Sequence, residues 1–350
     1  MRTFQAKQRR AAVLALAGAG LAAMGAAPAR AEPAPAYHLV RSVPLGAPDR
    51  WDYVVFDAPS HRVYVAHGDR VSVIDGRDGG LVGQVEGAPG GTHGIGLSHA
   101  TGKGYTDDGK AGVAVVFDLK TLKTLKTVPA KEDADGIAFD QASGHIFLVN
   151  GDSANLTVID PATDKVLATI DGGGKLEYAV SDDRGHLYVN GEEKREIVRI
   201  DTRTNAVDAR WPMPDCVDAH GLAIDTIGHR LFASCVNAKL MVINADSGAV
   251  VAALPIGRGS DGTAFDPVRR RVFSSDGLDG IVSIFKQKGP DAYVALPPVK
   301  TAVSGRTMAV DAQTGRLYIA ASDVEPAVAP GVRPKPKPGT LKLLFLDPTD

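Results

Sequence analysis

Residues 137–160 read IAFDQASGHIFLVNGDSANLTVID, and their pattern decides the fold. One apolar run stops at Asp140 and a small polar turn follows. A second run then carries an aromatic ring at Phe147, and after another polar break LTVID closes on Asp160. Short runs rich in β-branched and aromatic residues, separated by Gly, Asp and Asn and lacking any helical period, read as strands. The same grammar repeats along the chain. A polar residue ends the first strand of each unit at Asp57, Ser98, Asp140, Ser181, Asp225, Asp266 and Asp311, at steps of 41 to 45 residues. Seven residues after each of these anchors stands a ring: Tyr64, Tyr105, Phe147, Tyr188, Phe232, Phe273 and Tyr318. Aromatics make up 6% of the chain, so seven hits in seven mark a repeat. A second polar stop, at Asp75, Asp118, Asp160, Asp201 and Asn244, closes the third strand of most units.

Each unit thus reads as four short strands, which cannot bury two faces alone. Stacking the units in a closed ring gives every sheet two neighbours. The expectation is an all-β, seven-bladed β-propeller with four-stranded blades, occupying residues 32–350 as a single domain. The seventh unit stops at its third strand, LKLLFLD (341–347), while YHLVRSVPL (37–45) has no unit of its own. The N-terminal strand is therefore expected to complete the last blade, tying both ends of the chain together.

Residues 1–31 combine a basic start (Arg2, Lys7, Arg9, Arg10), an apolar stretch from Ala11 to Ala27 and a small-residue end at Ala29-Arg30-Ala31. This reads as a secretory signal peptide cleaved after about Ala31, and it predicts a periplasmic or secreted protein. Arg9-Arg10 raises a twin-arginine route, but the residues after the pair lack its polar and aromatic context, which favours ordinary secretion. No later segment has enough unbroken apolar residues to cross a membrane as a helix. Removing the leader takes five bases from 39, leaving 34 Lys and Arg against 41 Asp and Glu, a net charge of −7. A mildly acidic body argues against nucleic acid as a partner, since phosphate backbones need a basic surface. Cys216 and Cys235, in an oxidising compartment, are expected to form a disulfide at the ends of one hairpin. Nothing in the pattern calls for more than a monomer.

The repeats resemble the YVTN-type propellers of the YncE-like family: YVAH at 64–67, FLVN at 147–150 and YVNG at 188–191 stand where that family's motif sits, followed by the VID endings. The likeness covers residues 37–350 and implies the propeller fold. The Pro-x-Gly that often opens the family's innermost strand is replaced here by Asp-Gly or His-Gly pairs.

In a propeller the innermost strands start at one mouth of the central channel, on the face that also carries the loops between second and third strands. Five residues before each anchor lie Asp52, His93, Asp135, Leu176, His220, Asp261 and Arg306, with Glu177 beside Leu176 in the fourth unit. Asp52, His93, Asp135, Glu177, His220, Asp261 and Arg306 are therefore the candidate ligand-binding residues. Carboxylates and imidazoles at channel radius repel or desolvate one another unless water, a ligand or a cation intervenes. The bland reading is a hydrated polar mouth. The sharper one is a divalent cation such as Ca²⁺ on Asp52, His93, Asp135, His220 and Asp261. The glycines that follow four of these positions (Gly94, Gly136, Gly221, Gly262) are attributed to close packing of inner strands.

His67, Asp107, Asp108, Asn150, Glu192, Glu193 and Asp276 in the neighbouring loops join the same face, and most of them are read as solvated. In blade seven that loop swells from Asp323 to Gly339 with five prolines and a basic tip at Arg333, Lys335 and Lys337. It is taken as a solvated insertion, with a lid or a partner hook as the alternative. GRGSDG (257–262) matches the dinucleotide pattern but precedes a strand, GGGK (172–175) lacks the rest of a phosphate loop, and G-x-S-x-G, H-E-x-x-H and C-x-x-C are missing. The function expected is a binding or scaffold module for a protein, peptide or small ligand on the channel face. The alternative is a metal-dependent hydrolase or lyase acting on lactones or sugars, with His93 or His220 as acid or base.

Overall fold

The computed structural model describes residue 1, residues 35–329 and residues 331–349. Beyond Met1, the expected signal peptide lies outside the described residues. Seven four-stranded antiparallel sheets make a seven-bladed β-propeller. The inner strands are Val54–Asp57, Ile95–Ser98, Ala134–Asp140, Leu176–Ser181, Ala219–Asp225, Ser260–Asp266 and Thr307–Val310. Six blades run from inner to outer strand in chain order. The seventh takes Tyr37–Pro44 as its outer strand, paired antiparallel with Lys342–Pro348, as the unmatched ends of the sequence require.

The anchors end inner strands because their side chains make the turn. Asp225 Oδ1 accepts from the backbone N–H of Ile227 and Gly228, and Asp266 Oδ1 from Val268 and Arg269. The second stops do the same, with Asp118 taking the Thr121 amide and Asn244 those of Asp246 and Ser247. A short side-chain oxygen that bonds its own backbone two or three residues on offers the chain an alternative to the ladder, which is why these residues punctuate it.

All seven marker rings are buried, none more than 2% exposed. They fill the space between blades, and three reach into the next one: Tyr105 donates to Asp164 at 2.7 Å, Tyr188 to the Ala245 carbonyl at 3.0 Å, and Tyr318 to the Gly76 carbonyl at 3.0 Å. The last of these joins blade seven to blade one. Thr307 Oγ1, donating to the Asp52 carbonyl at 2.7 Å, closes the same seam near the axis. Cys216, in the connection before Ala219–Asp225, is bonded to Cys235 at the end of Arg230–Cys235. Closing a loop of 19 residues, it contributes on the order of 3 kcal/mol. Among the described residues no helix is long and apolar enough to cross a membrane.

Candidate functional site

The starts of the inner strands converge, as the repeat register implies. His93 Nδ1 lies 2.7 Å from Asp107 Oδ2, whose other oxygen accepts the His93 and Gly94 amides at 2.9 and 2.8 Å. His220 Nδ1 lies 3.0 Å from Asp261 Oδ1. Asp261 is the meeting point of three cations. Arg306 Nε sits 2.8 Å from its Oδ2 as an ion pair without the alignment of a hydrogen bond. Arg333 Nη2, from the proline-rich loop, donates to both of its oxygens at 2.7 Å. Despite burial, these partners hold the Asp261 carboxyl below its usual range.

Asp52, Asp135 and Glu177 are placed differently. Glu177 accepts the Tyr53 hydroxyl at 3.2 Å, Asp135 Oδ1 is buried with no hydrogen-bond partner, and Asp52 feels Arg306, His93 and Arg50 through space. Burial raises all three; Glu177 and Asp52 add to it at Asp135 and Asp52 adds at Glu177, whereas at Asp52 Arg306 and His93 oppose it and Asp261 adds. Glu177 is pushed up to about 7, burial acting first, with Asp52, Glu192 and Asp261 adding to it and His220 opposing.

Blades one and four meet across the channel. Tyr53 and Tyr178 pack with ring centroids 4.3 Å apart and planes inclined by 37°, and the Tyr53–Glu177 bond spans the same gap. Beside the pair a cavity of about 20 Å³, lined by both tyrosines, Leu222, Thr263 and Met308, has room for about one water. The tyrosines therefore plug the channel and floor its mouth. They escaped the sequence reading, although a signal exists: Tyr53 follows Asp52 where four other blades carry glycine. Those glycines are packing devices as expected. A Cβ on Gly94 would stand 2.3 Å from the Asp135 carbonyl, so neighbouring inner strands touch there, and tyrosine fits only where the side chain can turn into the channel.

The loop residues read as solvated need correction. His67, Asp107, Asn150 and Asp276 are fully buried and Asp108 nearly so. They end second strands and bond the backbone that arrives from the preceding blade: Asp108 takes the Gly90 amide, Asn150 that of Lys131, and Asp276 that of Gly257. A connection crossing the top of a blade leaves buried N–H groups that need acceptors, and these side chains supply them. Glu193 is exposed as expected. The proline-rich loop is more than a solvated insertion, because Arg333 reaches the mouth.

His93 and His220 have shifted protonation. Burial opposes charge on His93, yet Asp107 and then Asp52 outweigh it and push its pKa up to about 9. On His220, burial is likewise outweighed by Asp261 and Glu177, again to about 9. The exposed Arg50, 2.8 Å from His93 Nε2, can donate there only while the ring is neutral, and the buried Asp107 pair is the stronger influence. Among the described residues, no three His, Cys, Asp or Glu side chains are disposed around one metal position. A separate cleft of about 180 Å³ lies between blades four and five, but His186–Asp182, His229–Asp246 and Arg199–Asp208 pair its charges.

A pH dependence follows from Glu177. Its carboxyl rises on folding from 4.5 to about 7, so the folded state holds the extra proton. Stability from that proton is complete below the unfolded value and is lost as pH rises to about 7, a loss on the order of 3 kcal/mol. Glu177→Gln, which cannot ionise, is expected to gain on the wild type between pH 5 and pH 8. Thermal unfolding at both values checks this, and parallel profiles would refute it.

No family model matches the chain, and no curated protein matches it. Solved structures do. A chain of the Kuenenia stuttgartiensis hydrazine synthase is 14% identical with a TM-score of 0.68, covering 77% of this chain and 92% of that one. A chain in a crystal structure of the mitotic checkpoint complex is 16% identical with a TM-score of 0.72, covering 93% and 98%. The structure of U3-55K gives 11% and 0.72, covering 88% and 98%. At such identities the likeness establishes the ring fold alone.

Proposed function

We propose that the chain is an exported propeller of YVTN type that acts as a binding module, taking a ligand with an ammonium or guanidinium group at its channel mouth. The observation that carries this reading is the trio Asp52, Asp135 and Glu177 beside the Tyr53–Tyr178 floor. A buried carboxyl oxygen without a partner is costly, and Asp135 Oδ1 is one. A cation seated there would satisfy the three carboxylates and could lie against an aromatic face. The basic side chain of a protein or peptide meets that description, as does a small amine. The absence of a nucleophile motif and the rigid ring favour binding over catalysis. Export is supported by the leader and the Cys216–Cys235 bond.

Argininamide, added to the intact protein at millimolar concentration, is expected to raise the unfolding temperature. The double variant Asp135→Asn, Glu177→Gln should not respond. A parallel titration with Ca²⁺ tests the alternative of a metal-dependent hydrolase or lyase. Stabilisation by Ca²⁺ with none by argininamide would overturn the organic-cation reading and favour the metal.

A further inference from the structure

The proline-rich loop is an insertion with its own stem and one charged tip contact. Val324 and Pro336 form an isolated bridge, Glu325 N donates to the Lys335 carbonyl at 2.8 Å, and Lys337 N to the Asp323 carbonyl at 2.7 Å. Asp49 holds the base of the stem through the Gly339, Thr340 and Leu341 amides. Val328 and Val332 at the tip are exposed. Beneath the strap, Trp51, Arg306, Arg333, Pro334 and Pro336 line a cavity of about 90 Å³, so the prolines bridge the opening without packing down onto it. What draws the tip inward is the contact of Arg333 Nη2 with both oxygens of Asp261.

That pair is unbalanced in an instructive way. Asp261 already has His220 and Arg306 as partners before Arg333 arrives. Asp52 and Glu177, which both sense the Asp261 charge, make no such pairs. The strap thus brings a guanidinium to one side of a mouth whose other carboxyl groups, Asp52 and Glu177, carry no ion pair. Half of the Arg333 side chain, 48%, is exposed, so water competes for it and the contact is reversible.

We infer that the strap is a built-in competitor: held on Asp261, Arg333 keeps a guanidinium at the mouth beside Asp52, Asp135 and Glu177 in place of the cationic group of the ligand, and the mouth opens when that contact is released. This rests on the binding function proposed above. Stem hydrogen bonds act as the hinge and the Arg333–Asp261 pair as the latch. A tethered side chain competes at an effective concentration in the millimolar range. A site that is closed most of the time shows its affinity reduced by the open fraction.

The test is calorimetric titration of argininamide into the full-length wild type, into Arg333→Ala and into Arg333→Lys. Arg333 is half-exposed, so its replacement leaves the ring intact. The expected result is about tenfold tighter binding to Arg333→Ala, with Arg333→Lys in between because an ammonium keeps the charge on a shorter and more strongly hydrated side chain. In the Arg333→Ala background, Asp135→Asn with Glu177→Gln should abolish the heat, placing argininamide at the mouth. Equal affinity for wild type and Arg333→Ala would overturn the competitor and leave the binding function standing. Weaker binding to Arg333→Ala would also overturn it, making the strap a part of the site. No binding to any of the three would remove the binding function and the inference with it.

Discussion

A chain starting at Leu45 is expected to lose the cooperative unfolding of the ring and to aggregate, although it lacks only the strand Tyr37–Pro44 of blade seven and what precedes it. Most of that strand is exposed, so its value does not come from apolar area along its length. It comes from two other sources. One is the ladder to Lys342–Pro348, without which the apolar run LLFL at 343–346 becomes an open edge ready to pair with another molecule. The other is Tyr37, 1% exposed, which stands edge-on to Phe273 with centroids 5.5 Å apart, under the Arg271 guanidinium, in the core between blades six and seven. Thr349 adds bonds to the Ala36 and Pro35 carbonyls, so both chain ends are fastened at one place. Tyr37→Ala separates the two contributions. It keeps the ladder and should cost about 3 to 5 kcal/mol, the usual loss for a buried ring cut to a methyl group. Urea unfolding of both variants measures this. A truncated chain as stable as the point variant would mean that the ladder contributes nothing.

The ring was legible because its signals are local and repeated. An anchor such as Asp225 makes its turn with amides two and three residues away, and Phe232 is buried for the same reason in its blade as Phe147 is in another. Repetition also carried the site register, since knowing where one inner strand begins places the other six. What stayed hidden depends on contacts between blades. Tyr53 meets Glu177 across 124 residues and Arg333 meets Asp261 across 72, and no spacing rule joins such pairs. The loop residues misread as solvated share this cause. Asp276 is polar and lies in a connection, which in isolation means exposure. Its burial follows from the Gly257 amide, which the preceding connection brings to it. The four glycines were read correctly because a missing side chain has one common explanation at a strand start. The tyrosine floor is the exception to that rule, and it appears where the axis must be filled.

Removing Asp261 should be the most damaging single substitution at the mouth, and its pH dependence identifies why. Asp261 is 8% exposed and is paired with His220, Arg306 and Arg333. Asp261→Ala leaves His220 and Arg306 positive and partly buried without the carboxylate they share. Breaking a buried pair in this way costs about 3 to 5 kcal/mol, more than the attraction itself contributes, because the remaining charge keeps its desolvation. In the wild type, His220 titrates at about 9 in the folded state against 6.5 for an ordinary imidazole. The stability that its proton brings is complete below pH 6.5 and disappears as pH rises through about 9. Without Asp261 the main support for that proton is gone, and only Glu177 and Glu192 remain to favour it. The gap between wild type and variant should therefore be widest near pH 6 and should narrow by pH 9.5, where His220 is mostly neutral in the wild type and neutral in the variant. Urea unfolding at the two pH values reads the gap, and NMR titration of His220 should show its pKa falling towards the ordinary value. A gap of equal size at both pH values would assign the loss to Arg306 alone, and His220 would then have no share in the charge balance of the mouth.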